Sequence, residues 1–226
     1  MTNDLIKSLD ISVKIDNYRL ARVNCTKYLG IIIDEKLNWS DHVESLVKKI
    51  SSLIGIVFRR KYAIPAKCRR NIYFALAYSS LVYGIETYCN TTLTILKPLI
   101  IKCNSLLRVL QDKPRRYTTI DLHTNYNTLP VNQLYNLFAA KLMHTFYFDK
   151  NNLPNAISEM FVVNCDIHNY NTRSRHNPHI RSNYSPESFS FVGPVLWSKL
   201  SIAIRECRYV KSFVKMCKSY FLSWEL

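Results

Sequence analysis

The sequence predicts a mainly α fold with a small N-terminal antiparallel β element, an α+β chain whose bulk is a bundle of amphipathic helices. Three observations carry this. Apolar residues make up 48% of the 226 positions and only four positions are glycine, a composition that excludes disorder and a turn-rich β sandwich. Alternation of apolar and polar residues is confined to the N-terminal segment. From Trp39 onward the apolar residues recur in three- and four-residue steps, the period of an α-helix with one buried face.

The β element takes residues 1–36. Ile11, Val13 and Ile15 alternate with polar neighbours, Asp16 and Asn17 supply a two-residue hairpin turn, and residues 18–23 return as a second strand. A third run, residues 28–33, is apolar, as expected of a strand covered on both faces. The three strands would form one sheet too small to stand alone.

A helical bundle follows over residues 37–150. In its first helix Trp39, Val43, Leu46, Val47, Ile50, Leu53, Ile54, Val57 and Phe58 share one stripe. Asn38 is placed to cap it, and Asp41 puts a carboxylate at its positive end. The second helix begins near Pro65, a residue suited to a first helical turn. It is apolar nearly all round after Arg70, which makes it the central helix of the bundle. Leu93, Leu96, Leu99, Cys103, Leu106, Leu107 and Leu110 mark a third helix that Pro114 ends. Pro130 opens a fourth, with Leu134, Leu137, Phe138, Leu142 and Phe146 turned inward. Residues 151–190 lose the pattern, are rich in Asn, Ser, Pro and Tyr, and read as an irregular basic arm. Order resumes over 191–226. Gly193 and Pro194 open a helix carrying Val195, Leu196, Leu200 and Ile204, and a last amphipathic helix carries Phe213, Val214, Cys217, Tyr220, Phe221 and Trp224.

Composition also bounds the function. Thirty-one Lys and Arg against sixteen Asp and Glu leave a net charge of +15. That surplus repels itself in a compact state, and a polyanionic partner relieves it. The seven cysteines are odd in number, widely spaced and mostly set in apolar helical patterns, the usage of buried thiols in a reducing compartment. No basic stretch followed by an apolar run opens the chain, and the uncharged apolar segment at residues 71–85 is too short to cross a bilayer. A soluble intracellular protein, cytoplasmic or nuclear, not secreted and without a membrane partner, is expected.

The basic residues are clustered. Residues 45–85 hold Lys48, Lys49, Arg59, Arg60, Lys61, Lys67, Arg69 and Arg70 and no acidic residue. Six of them bracket the junction of the first two long helices, a crowding that is repulsive unless it faces phosphate. Lys113, Arg115 and Arg116 follow the third helix. Arg173, Arg175 and Arg181 lie in the arm among Tyr170, Asn171, Asn183 and Tyr184, a mixture suited to backbone contact and base stacking.

Catalytic constellations are missing by contrast. Two-metal phosphoryl transfer needs converging carboxylates; there is no Asp-Asp pair, and Asp34-Glu35, the single adjacent acidic pair, reads as an exposed turn. No phosphate loop or Gly-rich dinucleotide loop exists, since Gly30, Gly55, Gly84 and Gly193 are far apart. Cys165, His168, His176 and His179 have a tolerable ligand spacing but read as polar-arm residues, and no elbow motif marks a nucleophile. By itself the chain reads as non-catalytic and without a cofactor.

The run Lys27-Tyr-Leu-Gly-Ile-Ile-Ile-Asp-Glu-Lys-Leu-Asn-Trp-Ser-Asp-His42 resembles the segment after the palm in jockey-like, LINE-type non-LTR retrotransposon reverse transcriptases. Those proteins read K-Y-L-G, two or three apolar residues, D, then L-x-W-x-x-H before a long helix. Further similar motifs follow in order: Ile54-Gly55, Arg59-Arg60, Leu81-Val-Tyr-Gly84, the leucine-rich helix to Arg108, His168-Asn-Tyr-Asn-Thr-Arg-Ser174 and Phe191-Val-Gly-Pro-Val-Leu-Trp197. The resemblance covers nearly the whole chain. It implies that the helices form a thumb-like bundle packing on an RNA/DNA template–primer, and that Tyr28, Leu29 and Gly30 resemble a primer grip. It also implies that the F/Y-A-D-D aspartates and the Mg²⁺ they bind belong to a missing palm. The fingers–palm portion is then a further partner, and Met1 opens a reading frame inside a truncated element. The competing expectation is a structural remnant of a transposable element that binds no nucleic acid.

Overall fold

The structure is a computed structural model and describes residues 13–16, 18–60, 62–161 and 189–223. Helices dominate it, and the β structure is confined to the N-terminal end, as the periodicity predicts. The single three-stranded sheet is not formed. Strand β1 (Lys14–Ile15) pairs antiparallel with β2 (Tyr18–Arg19), and β3 (Cys25–Tyr28) pairs separately with β4 (Ile31–Asp34), Tyr28 opposite Ile31. The run 28–33 is therefore two strand ends and a turn. Leu29 and Gly30 both take left-handed backbone, φ 46° and 85°, the two-residue geometry whose twist matches a hairpin. Nor is the run covered on both faces: Tyr28 is 65% and Leu29 71% exposed, while Ile31, Ile32 and Ile33 are half-buried beside the first helix.

That helix, α1 (Ser40–Arg60), buries Val43, Leu46, Ile50, Leu53 and Val57. It begins one residue after Trp39, which is left-handed at φ 67°; the Asn38 side chain accepts the Ser40 N–H at 2.9 Å. The next rod runs without a break through α2 (Ala66–Ile72), a π-helical segment (Tyr73–Tyr78) and α3 (Ser79–Val82). Its buried residues Tyr73, Ala77 and Leu81 are spaced by four. In a pure α-helix that spacing drifts off a straight stripe by about 40° per step. The widened turn, in which the Ser79 N–H reaches back five residues to Phe74 O, takes up the drift. The rod is not the centre of the bundle, since Leu76 is 51% exposed.

After α4 (Ile85–Tyr88), helix α5 (Leu93–Leu110) packs along α1 through Leu96, Leu99, Cys103, Leu106, Leu107 and Leu110. It stops before Pro114, at a left-handed Asp112. Helix α6 (Thr119–Tyr126) has no counterpart in the sequence pattern: it is eight residues long and buries only Leu122, His123 and Tyr126. The central position belongs to α7 (Val131–Phe148). It buries Leu134, Tyr135, Leu137, Ala139, Ala140, Met143 and Phe146, which fall on more than one side, and it touches α4 and two later helices.

The first part of the expected arm is docked. Leu153 and Phe161 join the core on either side of α8 (Asn155–Ser158); residues 162–188 lie outside the described residues. The next described helix is α9 (Phe189–Lys199), which contains Gly193 and Pro194 rather than being opened by them. A Cβ on Gly193 would stand 2.9 Å from Met143 Sδ, so the absent side chain lets α9 approach α7 closely. Ile204 falls in a separate short helix, α10 (Ile202–Arg205), and α11 (Val210–Leu222) buries Phe213, Cys217 and Phe221 against α7. One buried cluster extends from Val43 to Phe221. Cys89, Cys103 and Cys217 are buried in it and burial pushes their thiols up to about 12, whereas Cys25 and Cys68 are exposed, contrary to expectation. No described helix is long and apolar enough to cross a membrane.

Candidate nucleic-acid interface

The residues of the K-Y-L-G turn are fixed from below. The Tyr83 hydroxyl donates to Leu29 O, and a Cβ on Gly30 would stand 3.4 Å from the Tyr83 ring. Gly84, left-handed at φ 65°, leaves room for Ile31: a Cβ there would collide with Ile31 Cδ1. The Tyr28-Leu29-Gly30 turn and the Tyr83-Gly84 turn, far apart in sequence, thus lock against each other. Tyr28 and Leu29 stay outward on a supported tip.

The rest of the N-terminal motif braces the hairpin on α1. Asp34 is 7% exposed, not the exposed turn residue expected. Its Oδ1 accepts the Lys36 and Asn38 N–H groups at 3.1 Å each, and its Oδ2 accepts Trp39 N–H at 2.7 Å. Thr91 ties the Asn38 carbonyl to the bundle at 2.8 Å. His42 accepts the Ile32 N–H on Nδ1 at 3.3 Å and sits edge-on to Tyr88; burial lowers its pKa, so the neutral acceptor form is favoured. Aspartate, tryptophan and histidine in this motif therefore build the joint between hairpin and helix. Three backbone N–H groups already engage the Asp34 carboxylate, and among the described residues no group of three or more His, Cys, Asp or Glu is gathered to hold an ion.

The cations of α1 form a strip. Lys48 and Arg59, and likewise Lys49 and Arg60, are eleven residues apart, which on an α-helix is about 16 Å along the axis and only about 20° of rotation. All four are exposed, with exposed Ile56 and Phe58 near its end. Lys48 pairs with Glu44 at 2.8 Å, an exposed contact that holds little energy. Ile56, Arg59 and Arg60 line an open hollow of about 270 Å³.

At the junction, Lys67, Arg69 and Arg70 follow on α2. Arg69 Nε donates to Ile64 O at 3.0 Å, which shapes the connecting loop. Arg70 donates to Tyr126 O at 3.2 Å, at the negative end of α6, and lies 4.8 Å over Phe74. At the other end of α6, Arg108 donates to Tyr117 O at 3.2 Å. Lys113, Arg115 and Arg116 occupy the exposed loop there, Lys113 lying 4.8 Å from the Tyr117 ring. The two basic clusters thus stand at opposite ends of α6, which spans about 12 Å. Lys61, Arg173 and Arg175, with Arg181 and the Cys165, His168, His176 and His179 set, lie outside the described residues.

Sequence reasoning missed a second cationic place. Tyr78, Leu137, Phe138, Lys141, Val214 and Lys218 line a groove of about 140 Å³ between the π segment, α7 and α11. Lys211, Lys215 and Lys218 recur at helical spacing on α11 and were its legible signal.

Much of the chain is similar in sequence to part of an RNA-directed DNA polymerase. Over 170 residues it is 26% identical to the RNA-directed DNA polymerase from mobile element jockey of Drosophila melanogaster, a match covering 72% of this chain and 18% of that protein. No family model and no solved structure matches the chain.

Proposed function

We propose that this chain is the part of a non-LTR retrotransposon reverse transcriptase that follows the catalytic palm, and that it grips the RNA/DNA template–primer without performing chemistry itself. The observation that carries the reading is the strip of Lys48, Lys49, Arg59 and Arg60 along one face of α1, continued by Lys67 and Arg69 across the junction. Two pairs of exposed cations about 16 Å apart along one helix suit phosphates on a duplex backbone. The supported tip of Tyr28, Leu29 and Gly30 is a fitting contact for the primer end. Polymerase carboxylates and their Mg²⁺ would come from the remaining portion of the enzyme, whose docking place is the exposed hairpin pair with Val13, Ile15, Tyr18, Leu20 and Val23.

The test is binding of a labelled RNA/DNA hybrid by the chain across salt. Four to six phosphate contacts give a log–log slope of about −4 to −5. A slope near zero overturns the reading. The bare apolar hairpins favour one competitor, a remnant that binds nothing; it would aggregate and leave the hybrid free.

A further inference from the structure

Beyond the duplex strip, the groove between the π segment, α7 and α11 has a chemistry of its own. Its lining includes apolar Leu137 and Val214 and two aromatic rings, Tyr78 and Phe138. Lys141 on α7 and Lys218 on α11 bring two ammonium groups to it from different helices. No lining residue is acidic, and among the described residues neither lysine makes an ion pair. Lys218 is half-buried, and burial together with the nearby Arg70 guanidinium lowers its pKa. Arg70 is anchored on Phe74, whose ring lies 5.2 Å from that of Tyr78. A desolvated cation kept beside another cation without a carboxylate is costly unless an anion visits.

We propose that this groove binds a nucleotide unit, its base stacked between Tyr78 and Phe138 and its phosphate held by Lys141 and Lys218. At about 140 Å³ the space takes one flat ring system and is too narrow for a peptide helix, whose diameter is about 10 Å. Aromatic faces beside cations suit any base, because every base offers a π-face. Lys215 and Lys211 extend the basic row along α11 from Lys218, a track for the backbone of a single strand. The same chemistry would also hold a free nucleotide.

The test uses the 226-residue chain, a fluorescein-labelled oligothymidylate and AMP. Lys141→Ala combined with Lys218→Ala weakens oligothymidylate binding at least tenfold and flattens its salt slope by about 0.7, the share of the one phosphate the two lysines hold. Tyr78→Ala weakens it on the order of tenfold and leaves the slope unchanged. Lys141→Glu, a change on an exposed side chain that leaves the core intact, weakens binding further than alanine does. AMP competition that disappears in the double lysine variant assigns a free nucleotide, and binding of the oligomer without AMP competition assigns a strand. Unchanged oligothymidylate affinity in the double variant overturns the proposal, as does poly-glutamate binding equally well with Tyr78→Ala having no effect. Arg59→Ala with Arg60→Ala lowers duplex binding instead, so failure of the duplex reading is distinguishable from failure of this one.

Discussion

Replacing Asp34 with asparagine changes one atom and attacks the joint on which the hairpin stands. Oδ1 accepts two backbone N–H groups and Oδ2 a third, the 2.7 Å bond from Trp39. An asparagine oxygen in the Oδ1 place keeps two of these, but its NH₂ then faces the Trp39 N–H, donor against donor. The flipped amide keeps one and opposes two. The lost bond to a charged acceptor is worth about 1.5–3 kcal/mol, and the surviving bonds lose the roughly twofold strength that the charge lends. Together Asp34→Asn should cost about 3 kcal/mol in the opening of the hairpin joint, because a residue 7% exposed has little water to replace the partners. Hydrogen exchange of the β3–β4 and first α1 amides reads this opening directly. At 1.4 kcal/mol per decade, exchange in those segments should speed up by about 150-fold, while amides deep in α7 keep their protection. An acceleration below about fivefold would refute the idea that this carboxylate organises the joint.

Three further outcomes follow from the packing. His123, buried and accompanied by Arg108, has its pKa lowered to about 4, chiefly by desolvation. The unfolded chain therefore takes up the proton first, and stability is lost as pH falls from 6.5 toward 4, roughly 2 kcal/mol of it between pH 7 and 5. A urea-denaturation midpoint for wild type and His123→Gln should show that slope in the parent and a flatter one in the variant; equal slopes would count against it. Gly193→Ala forces a methyl against Met143 Sδ at 2.9 Å, an overpacking cost of about 1–3 kcal/mol set against a helix-propensity gain of about 1. A net loss of about 1 kcal/mol in denaturant is expected, and a gain in stability would show that α9 sits farther from α7. Gly84→Ala should cost about 2 kcal/mol from left-handed backbone and displacement of Ile31, visible as faster proteolysis within residues 25–39, and unchanged cleavage would contradict the turn-on-turn lock.

Much of the fold was legible because helical stripes are a local property. Val43 to Val57 and Leu96 to Leu110 were readable from spacing, and the structure buries them. What failed was decided by distant partners. The apolar run 28–33 looks like one strand until Tyr83 and Gly84, more than fifty residues on, fix Leu29 and Gly30 as a turn. The centre of the bundle was misplaced because the rod at 66–82 has an apolar side left to solvent, while α7 hides Gln133 and His144 in its buried set. Helix α6 was missed because His123 and Tyr126, polar in sequence, are core residues in three dimensions. At the candidate interface, charge runs gave the positions of the cations but not their employment: Arg69 and Arg70 are partly spent on backbone carbonyls. The groove at Lys141 and Lys218 joins helices more than sixty residues apart, a pairing no local pattern announces.

The widened turn between Tyr73 and Tyr78 sets an angular phase. Upstream of it, Arg70 points to the end of α6; downstream, Leu81 meets the core and Tyr83 reaches the hairpin. Winding the same residues as a regular α-helix, with no widened turn to hold the extra one, would rotate one half against the other by about 100°. Arginines and tyrosine could not then both find their carbonyls. The rod works as a keyed shaft, in which one surplus residue aligns the cationic end with the end that carries the hairpin.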